Sequence, residues 1–368
     1  METEGRPLVT LALEGIDRLD GDDAKEEAIR TLGSVLAGIP LEADLAAASF
    51  ERLLAASGAL EAPWSRTRAF SDVCASLACS RLPRDRRADL LASAVEQARR
   101  AAAPQERIDR GRAAVEALAE VRRDEVVEDS LAELAAAAST LDEPRARQRT
   151  IGQIALAFAK IGDGDRAVAL LDQSAPSAAR ARALALVAAE LAEAGDSDAA
   201  APLLEATIGE LRDEPESYES ALALRAVLET LLEHDVDLAG VALDGAASGM
   251  QRRAGAPPFG VDAALDLVDR MHDARFKRDA LLGAIAGLAS TTMDADELAA
   301  TAARVRLSVD RVDETYTRAP LLGELAVTLA SRGDARGAER ALADVASIAS
   351  RAEPAEIVDA LGDPATAL

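Results

Sequence analysis

Four aspartates offer the most regular chemistry in the sequence. Asp262, Asp266, Asp269 and Asp273 follow the spacing i, i+4, i+7, i+11, which lines one face of a helix. Ala264, Leu267, Val268 and Met271 fall on the opposite face, and His272 sits beside the stripe. Such a face could take a cation or a basic partner. A hard cation wants several oxygens converging in space, and one straight helix cannot bring four carboxylates to one ion. The plain alternative is a solvated acidic face.

Nucleophiles and soft ligands are scarce. His234, His272, Cys74 and Cys79 are the only histidines and cysteines, and they lack zinc-ligand spacing. His234, between Glu233 and Asp235, is expected at a helix end, where an imidazolium suits the helix dipole. Five residues apart on a helix, the two cysteines point about 140° away from each other, so they cannot easily pair and make no disulfide framework. A catalytic cysteine or serine needs a nearby base and an orienting group. No G-x-S-x-G, P-loop or G-x-G-x-x-G is present. The expectation is a chain without catalytic, metal or cofactor residues.

Arginines supply a second pattern. Arg68, Arg149 and Arg182 each stand nine residues before an apolar residue that closes a helix. They could form a ladder that receives a partner's carboxylates. The alternative is pairing within the chain, for example with Asp142 or Glu143. Around two of them the charge changes. The chain carries 41 Lys+Arg against 65 Asp+Glu, net −24, yet the window from Arg66 to Thr150 holds 16 arginines and 15 acidic residues. Nucleic-acid binding through this window would want stacking aromatics. Only Phe70 lies inside it, with Trp64 just outside. An acidic protein partner fits better.

These residues act only if folded elements position them. Apolar residues make up 49% of the chain and aromatics 2%. The apolar set is mostly Ala, Leu and Val, and Ala and Leu favour helix while β-branched and aromatic residues favour strand, so little or no sheet is expected. The apolar fraction excludes an acidic disordered chain. Only Lys25, Lys160 and Lys277 are lysines. Acidic excess, few lysines and small apolar side chains resemble the composition of proteins from extreme halophiles. The alternative is an ordinary acidic protein from a GC-rich genome. Met1-Glu2-Thr3-Glu4 lacks the basic and apolar regions of a signal peptide. No stretch approaches the roughly 18 apolar residues of a membrane span. The expected location is cytoplasmic.

An internal repeat organises the chain. An apolar pair recurs at Leu36-Ala37, Leu77-Ala78, Leu118-Ala119, Phe158-Ala159, Leu191-Ala192, Leu231-Leu232, Leu288-Ala289 and Leu329-Ala330. Five of the seven spacings are 40 or 41 residues; the others are 33 and 57. Such a period belongs to helical solenoids, not to compact domains. Leu184, Val187, Leu191 and then Leu203, Leu204 give two apolar stripes either side of Gly195-Asp196, and similar stripes flank Gly162-Asp163 and Gly333-Asp334. Gly supplies the left-handed residue that ends one helix, and Asp can cap the next. Turns are predicted near Ala37, Ala78, Ala119, Lys160, Gly195, Glu233, Ser290 and Gly333.

The segments 151–171, 184–204 and 322–342 resemble tetratricopeptide repeats. They share a small residue mid-helix (Ala155, Ala188, Ala326), Gly-Asp at the turn, and a small residue after it (Ala167, Ala200, Ala338). The typical spacing exceeds that family's period of about 34 and is closer to HEAT-type repeats. The resemblance implies an all-α, right-handed α-α solenoid of about eight hairpins. It places Arg68, Arg149 and Arg182 toward a concave groove, and it implies a scaffold that binds protein segments.

Five regions follow. Residues 1–20 should form a capping helix, starting near Pro7, and 21–250 repeats 1–6. Residues 251–273 should hold a Gly/Pro loop and an inserted helix from Val261 to His272, 274–352 repeats 7–8, and 353–368 a tail with a short helix at 355–361. The expected function is a noncatalytic adaptor for a protein segment, with an acidic one the better fit. The alternatives are a regulator that contacts nucleic acid through units 2 and 3, and a helical-repeat enzyme with scattered site residues.

Overall fold

The computed structural model describes residues 2–234, 236, 238 and 259–351. Among these there are 17 α-helices and no strand, as the composition predicts. The chain divides into two compact units, Met1–Ile161 and Gly162–Leu368.

Unit 1 contains α1 (Glu2–Asp17), α2 (Asp22–Gly38), α3 (Ala43–Gly58), α4 (Pro63–Ala78), α5 (Arg84–Arg99), α6 (Pro104–Val121), α7 (Glu125–Ser139) and α8 (Pro144–Lys160). The first helices of successive hairpins pack side by side, α2 on α4 and α4 on α6, and the second helices α3 and α5 form a parallel row. The helix α1 covers the open end by packing on α2 and α3. It begins upstream of Pro7, not at it. Pro63, Pro104 and Pro144 open α4, α6 and α8, where a missing N–H costs nothing. Each first helix is gripped by an apolar stripe. On α4 it is Phe70, Val73, Cys74 and Leu77, all fully buried.

Unit 2 contains α9 (Gly164–Leu171), α10 (Ala178–Glu193), α11 (Ser197–Asp213), α12 (Tyr218–Glu233), α13 (Phe259–Arg270), α14 (Ala274–Ser290), α15 (Ala295–Asp310), α16 (Thr315–Ser331) and α17 (Ala335–Ala349). Here α10, α12, α14 and α16 form one row, and α11, α13, α15 and α17 the other. Gly195 and Gly333 adopt φ of 86° and 84°. After each, the aspartate N–H returns to the carbonyl of Leu191 or Leu329 at 2.9 Å, the bond that closes a helix end over a left-handed glycine. The carboxylates of Asp196 and Asp334 then accept from Ala199 N (3.1 Å) and Gly337 N (2.9 Å). Asp163 does the same for Arg166 N. The Gly-Asp turns therefore work as the sequence predicts. The first helices end at Gly38, Ala78, Val121, Lys160, Glu193, Glu233, Ser290 and Ser331, each within two residues of the predicted turn.

The helix expected as an insertion packs in line with the described second helices. It is α13, and it stands in the second-helix row, packed on α11, α12 and α15. Its apolar face, with Val261, Ala264, Leu265 and Val268 fully buried, fills the place of α12's hairpin partner. It also starts at Phe259 and stops at Arg270, so His272 and Asp273 belong to the approach to α14. The Gly/Pro loop at 254–258 and the tail helix at 355–361 lie outside the described residues.

The pair α12 and α14 approach backbone to backbone. Gly283 and Gly287 of α14 face the carbonyls of Arg225 and Glu229 on α12, with no room for a Cβ. Glycine is what lets two helix backbones come this close.

Candidate partner groove and inter-repeat ion pairs

In unit 1 a groove opens along the first-helix face. The helix α6 packs closely along α4 but meets α8 over a shorter stretch, and a cavity of about 660 Å³ lies between them. Gln105, Asp109 and Arg112 of α6, Thr67 of α4, and Arg149 and Thr150 of α8 line it. Gln105 Nε2 donates to both Asp109 oxygens (3.0 and 3.1 Å) and to Thr150 Oγ1 (3.3 Å). Burial pushes the Asp109 carboxyl above the usual aspartate range, against the opposing pull of the Gln105 hydrogen bond and of the Arg112 and Arg149 charges. Arg112 donates to Glu116 at 2.7 Å, while its Nε is buried with no hydrogen-bond partner among the described residues. Arg149 makes no ion pair at bonding distance among the described residues; its charge acts on Asp109.

The three arginines of the expected ladder therefore differ. Arg68 on α4 pairs with Glu26 on α2 at 3.3 Å. Arg182 on α10 pairs with Glu219 on α12 at 2.9 Å. Only Arg149 lines the groove. Pairing within the chain does occur, but Asp142 and Glu143, the acidic turn named for that role, share the groove lining with Arg149. The partners of Arg68 and Arg182 lie one repeat away on the neighbouring first helix.

The four aspartates of α13 and its flank are also matched inside the chain. Arg304 of α15 reaches Asp262 (3.1 Å), Asp266 (2.7 Å) and Asp269 (3.3 Å), and Arg311 pairs with Asp269. Asp273 departs from the stripe and caps α14 by accepting from Arg275 N at 2.8 Å. Burial raises the Asp262 carboxyl, against the attraction of Arg304. The face is thus ion-paired to α15 while still meeting solvent: Asp266 is exposed and Asp262 half-exposed. The opposite face is apolar as read: Ala264, Leu267, Val268 and Met271 are buried.

A buried cluster in unit 1 escaped sequence reading. Arg66 clasps Glu106 bidentately at 2.8 and 2.9 Å. Arg110 reaches the same carboxylate at 3.3 Å and lies 4.3 Å over the Phe70 ring. The Arg66 hydrogen bonds hold Glu106 below the usual carboxylate range. A signal existed, because Arg66 and Glu106 stand one 40-residue repeat apart.

The other candidates scatter. His234 caps the end of α12, its N–H bonded to Thr230 O at 3.1 Å. His272 is 94% exposed, 3.6 Å from Glu216. Cys74 is buried and Cys79 exposed, and burial pushes the Cys74 thiol far up, the wrong direction for a nucleophile. Among the described residues no group of three or more His, Cys, Asp or Glu could hold a metal ion. No described helix is long and apolar enough to cross a membrane.

Two solved structures are distantly similar to this chain. The crystal structure of Ton1535 from Thermococcus onnurineus NA1 is similar over 84% of this chain and 94% of that one, at 12% identity and a TM-score of 0.38. The apo form of the quorum sensor NprR from B. thuringiensis is similar over 94% and 98%, at 10% identity and a TM-score of 0.29. Likeness this distant carries no functional argument. No protein-family model matches the chain. No curated protein matches it.

Proposed function

We propose that this protein is a noncatalytic scaffold or adaptor: a right-handed α-α solenoid of about eight hairpins whose first-helix groove receives an acidic segment of another protein. The observation that carries the reading is Arg149, a cation with no ion pair among the described residues, beside Arg112 in the groove of unit 1. On a chain of net charge −24, the near-neutral window around this groove is where an acidic partner meets the least repulsion. Guanidinium groups suit bidentate carboxylate contacts. We place the protein in the cytoplasm and assign it no cofactor.

The test uses fluorescein-labelled 12-residue peptides rich in Asp and Glu, titrated with the full chain at low and at molar KCl. Binding should weaken about tenfold in Arg149→Ala, a loss of about 1.4 kcal/mol. It should be unchanged in Arg182→Ala, whose side chain is held by Glu219. No binding of acidic peptides at either salt, or equal binding by a folded Arg149→Ala variant, would overturn the reading.

A further inference from the structure

Among the described side chains, Phe276 is half-buried and the other aromatic rings divide between core and surface. Phe50, Phe70 and Phe158 are buried. The single tryptophan and both tyrosines are exposed: Trp64 57%, Tyr218 54% and Tyr316 53%. All three occupy one register, thirteen residues before the apolar residue that closes the helix (Leu77, Leu231 and Leu329). That position is the first turn of a first helix, on α4, α12 and α16. Core packing does not explain a large ring left outside at the same place three times.

In unit 2 the register forms a row. The helix between α12 and α16 is α14, which packs along both. It carries Arg275 at the same register, exposed and in no ion pair among the described residues. The Arg275 and Asp273 charges both act on the Tyr316 phenol, behind the stronger effect of Glu314. Two steps between neighbouring helix axes, each about 8–10 Å, set Tyr218 and Tyr316 up to about 20 Å apart with Arg275 between. An extended chain advances about 3.3 Å per residue, so roughly six residues span the two rings.

The charge around the row is acidic, and it is fixed without being cancelled. Glu216 accepts from the backbone of His272 (2.9 Å) and Asp273 (2.7 Å). Asp273 accepts from Arg275 N, and Glu314 from Thr317 Oγ1 at 3.2 Å. These backbone and hydroxyl donors hold each carboxylate in place without cancelling its charge; beside them the exposed His272 ring stands 3.6 Å from Glu216. An aromatic face beside a fixed carboxylate attracts an ammonium or guanidinium group. Exposed Tyr also supplies large contact area at low conformational-entropy cost.

We propose that Tyr218, Arg275 and Tyr316 form a docking row for an extended basic protein segment, with two Arg or Lys side chains about six residues apart seated on the two rings. Arg275, midway, meets a backbone carbonyl or carboxylate of the segment. The same acidic surround repels nucleic acid and a second copy of this chain. The row is in unit 2 and selects cations, so it is independent of the groove of unit 1, which selects anions.

The experiment titrates the full chain with a 13-residue Gly/Ser-based peptide bearing Arg at positions 4 and 10. Comparators carry Glu at both positions, or Arg at positions 4 and 7. The 4/10 peptide should bind best and weaken at higher salt. Tyr218→Ala with Tyr316→Ala should reduce its affinity at least tenfold, while Phe at both positions retains it, because the ring face and not the hydroxyl is used. Trp64→Ala, in unit 1, should change nothing. Circular dichroism checks that each variant is folded, and the Phe pair provides the conservative control. Equal binding of the Glu peptide, equal binding of the 4/7 peptide, or indifference to the Ala pair would overturn the proposal.

Discussion

Replacing Gly283 with Ala tests the tightest approach of a neighbouring backbone to any described glycine. A Cβ built there falls onto the carbonyl oxygen of Arg225, with the carbonyl carbon and Cα at 2.8 Å. Those atoms are backbone, so no rotamer change relieves the clash, and α14 must move off α12. Overpacking of this kind costs about 1–3 kcal/mol. Against it stands the gain of about 0.5–1 kcal/mol from Ala over Gly inside a helix. Gly323, on α16, has nothing within 4 Å of its built Cβ, so there the gain acts alone. The two substitutions should therefore move stability in opposite directions. Gly283→Ala should lower the melting temperature and Gly323→Ala should raise it. At roughly 2–4 °C per kcal/mol for a unit of about 200 residues, the variants should separate by several degrees in melts followed by circular dichroism at fixed salt. A Gly283→Ala protein that melts at or above the parent would refute the close-packing argument, since helix propensity would then be the whole effect.

Three further outcomes follow from charge and burial. Burial raises the Asp109 carboxyl, so its contribution is present below the unfolded aspartate value and lost as pH rises through the folded one. Asp109→Asn should accordingly stabilise the protein at pH 7 and make no difference near pH 3, as urea unfolding at the two pH values will show. An equal gain at both would remove the electrostatic cause. One thiol should react rapidly with a disulfide reagent in the native protein and two after unfolding, because Cys79 is exposed and Cys74 buried; two fast native thiols would contradict the burial of α4. Stability should rise from dilute buffer to about molar KCl as screening relieves self-repulsion at net −24, and a flat or falling melting temperature across that series would count against it.

Local features of this fold were legible, and long-range pairings were not. A Gly-Asp turn is written in adjacent residues: a positive φ at Gly195 or Gly333, then a carboxylate bonded three residues on. The apolar face of α13 was equally plain. Whether that helix was inserted or was α12's partner was not, because periodicity is the same in both cases and only packing against α11 and α15 decides. The aspartate stripe fails for a related reason. Spacing gives the direction of Asp262, Asp266 and Asp269, while the cation that answers them, Arg304, lies 35 to 42 residues on.

That offset is the more general lesson. Arg68 with Glu26, Arg66 with Glu106, Arg182 with Glu219 and Arg306 with Asp344 all join positions 37 to 42 residues apart, about one repeat. In a stacked array the neighbour in space is the next repeat in sequence. Three of the 41 basic residues are lysine, and arginine's planar fork holds a carboxylate on an adjacent helix better than an ammonium does. Many arginines here are therefore inter-repeat ties, and a recurring arginine is weak ground for a binding ladder. The discriminating feature is an arginine that the neighbouring repeat leaves unmatched. Arg149 in the groove of unit 1 and Arg275 in the tyrosine row of unit 2 meet that condition, and each is set among groups that favour a different partner.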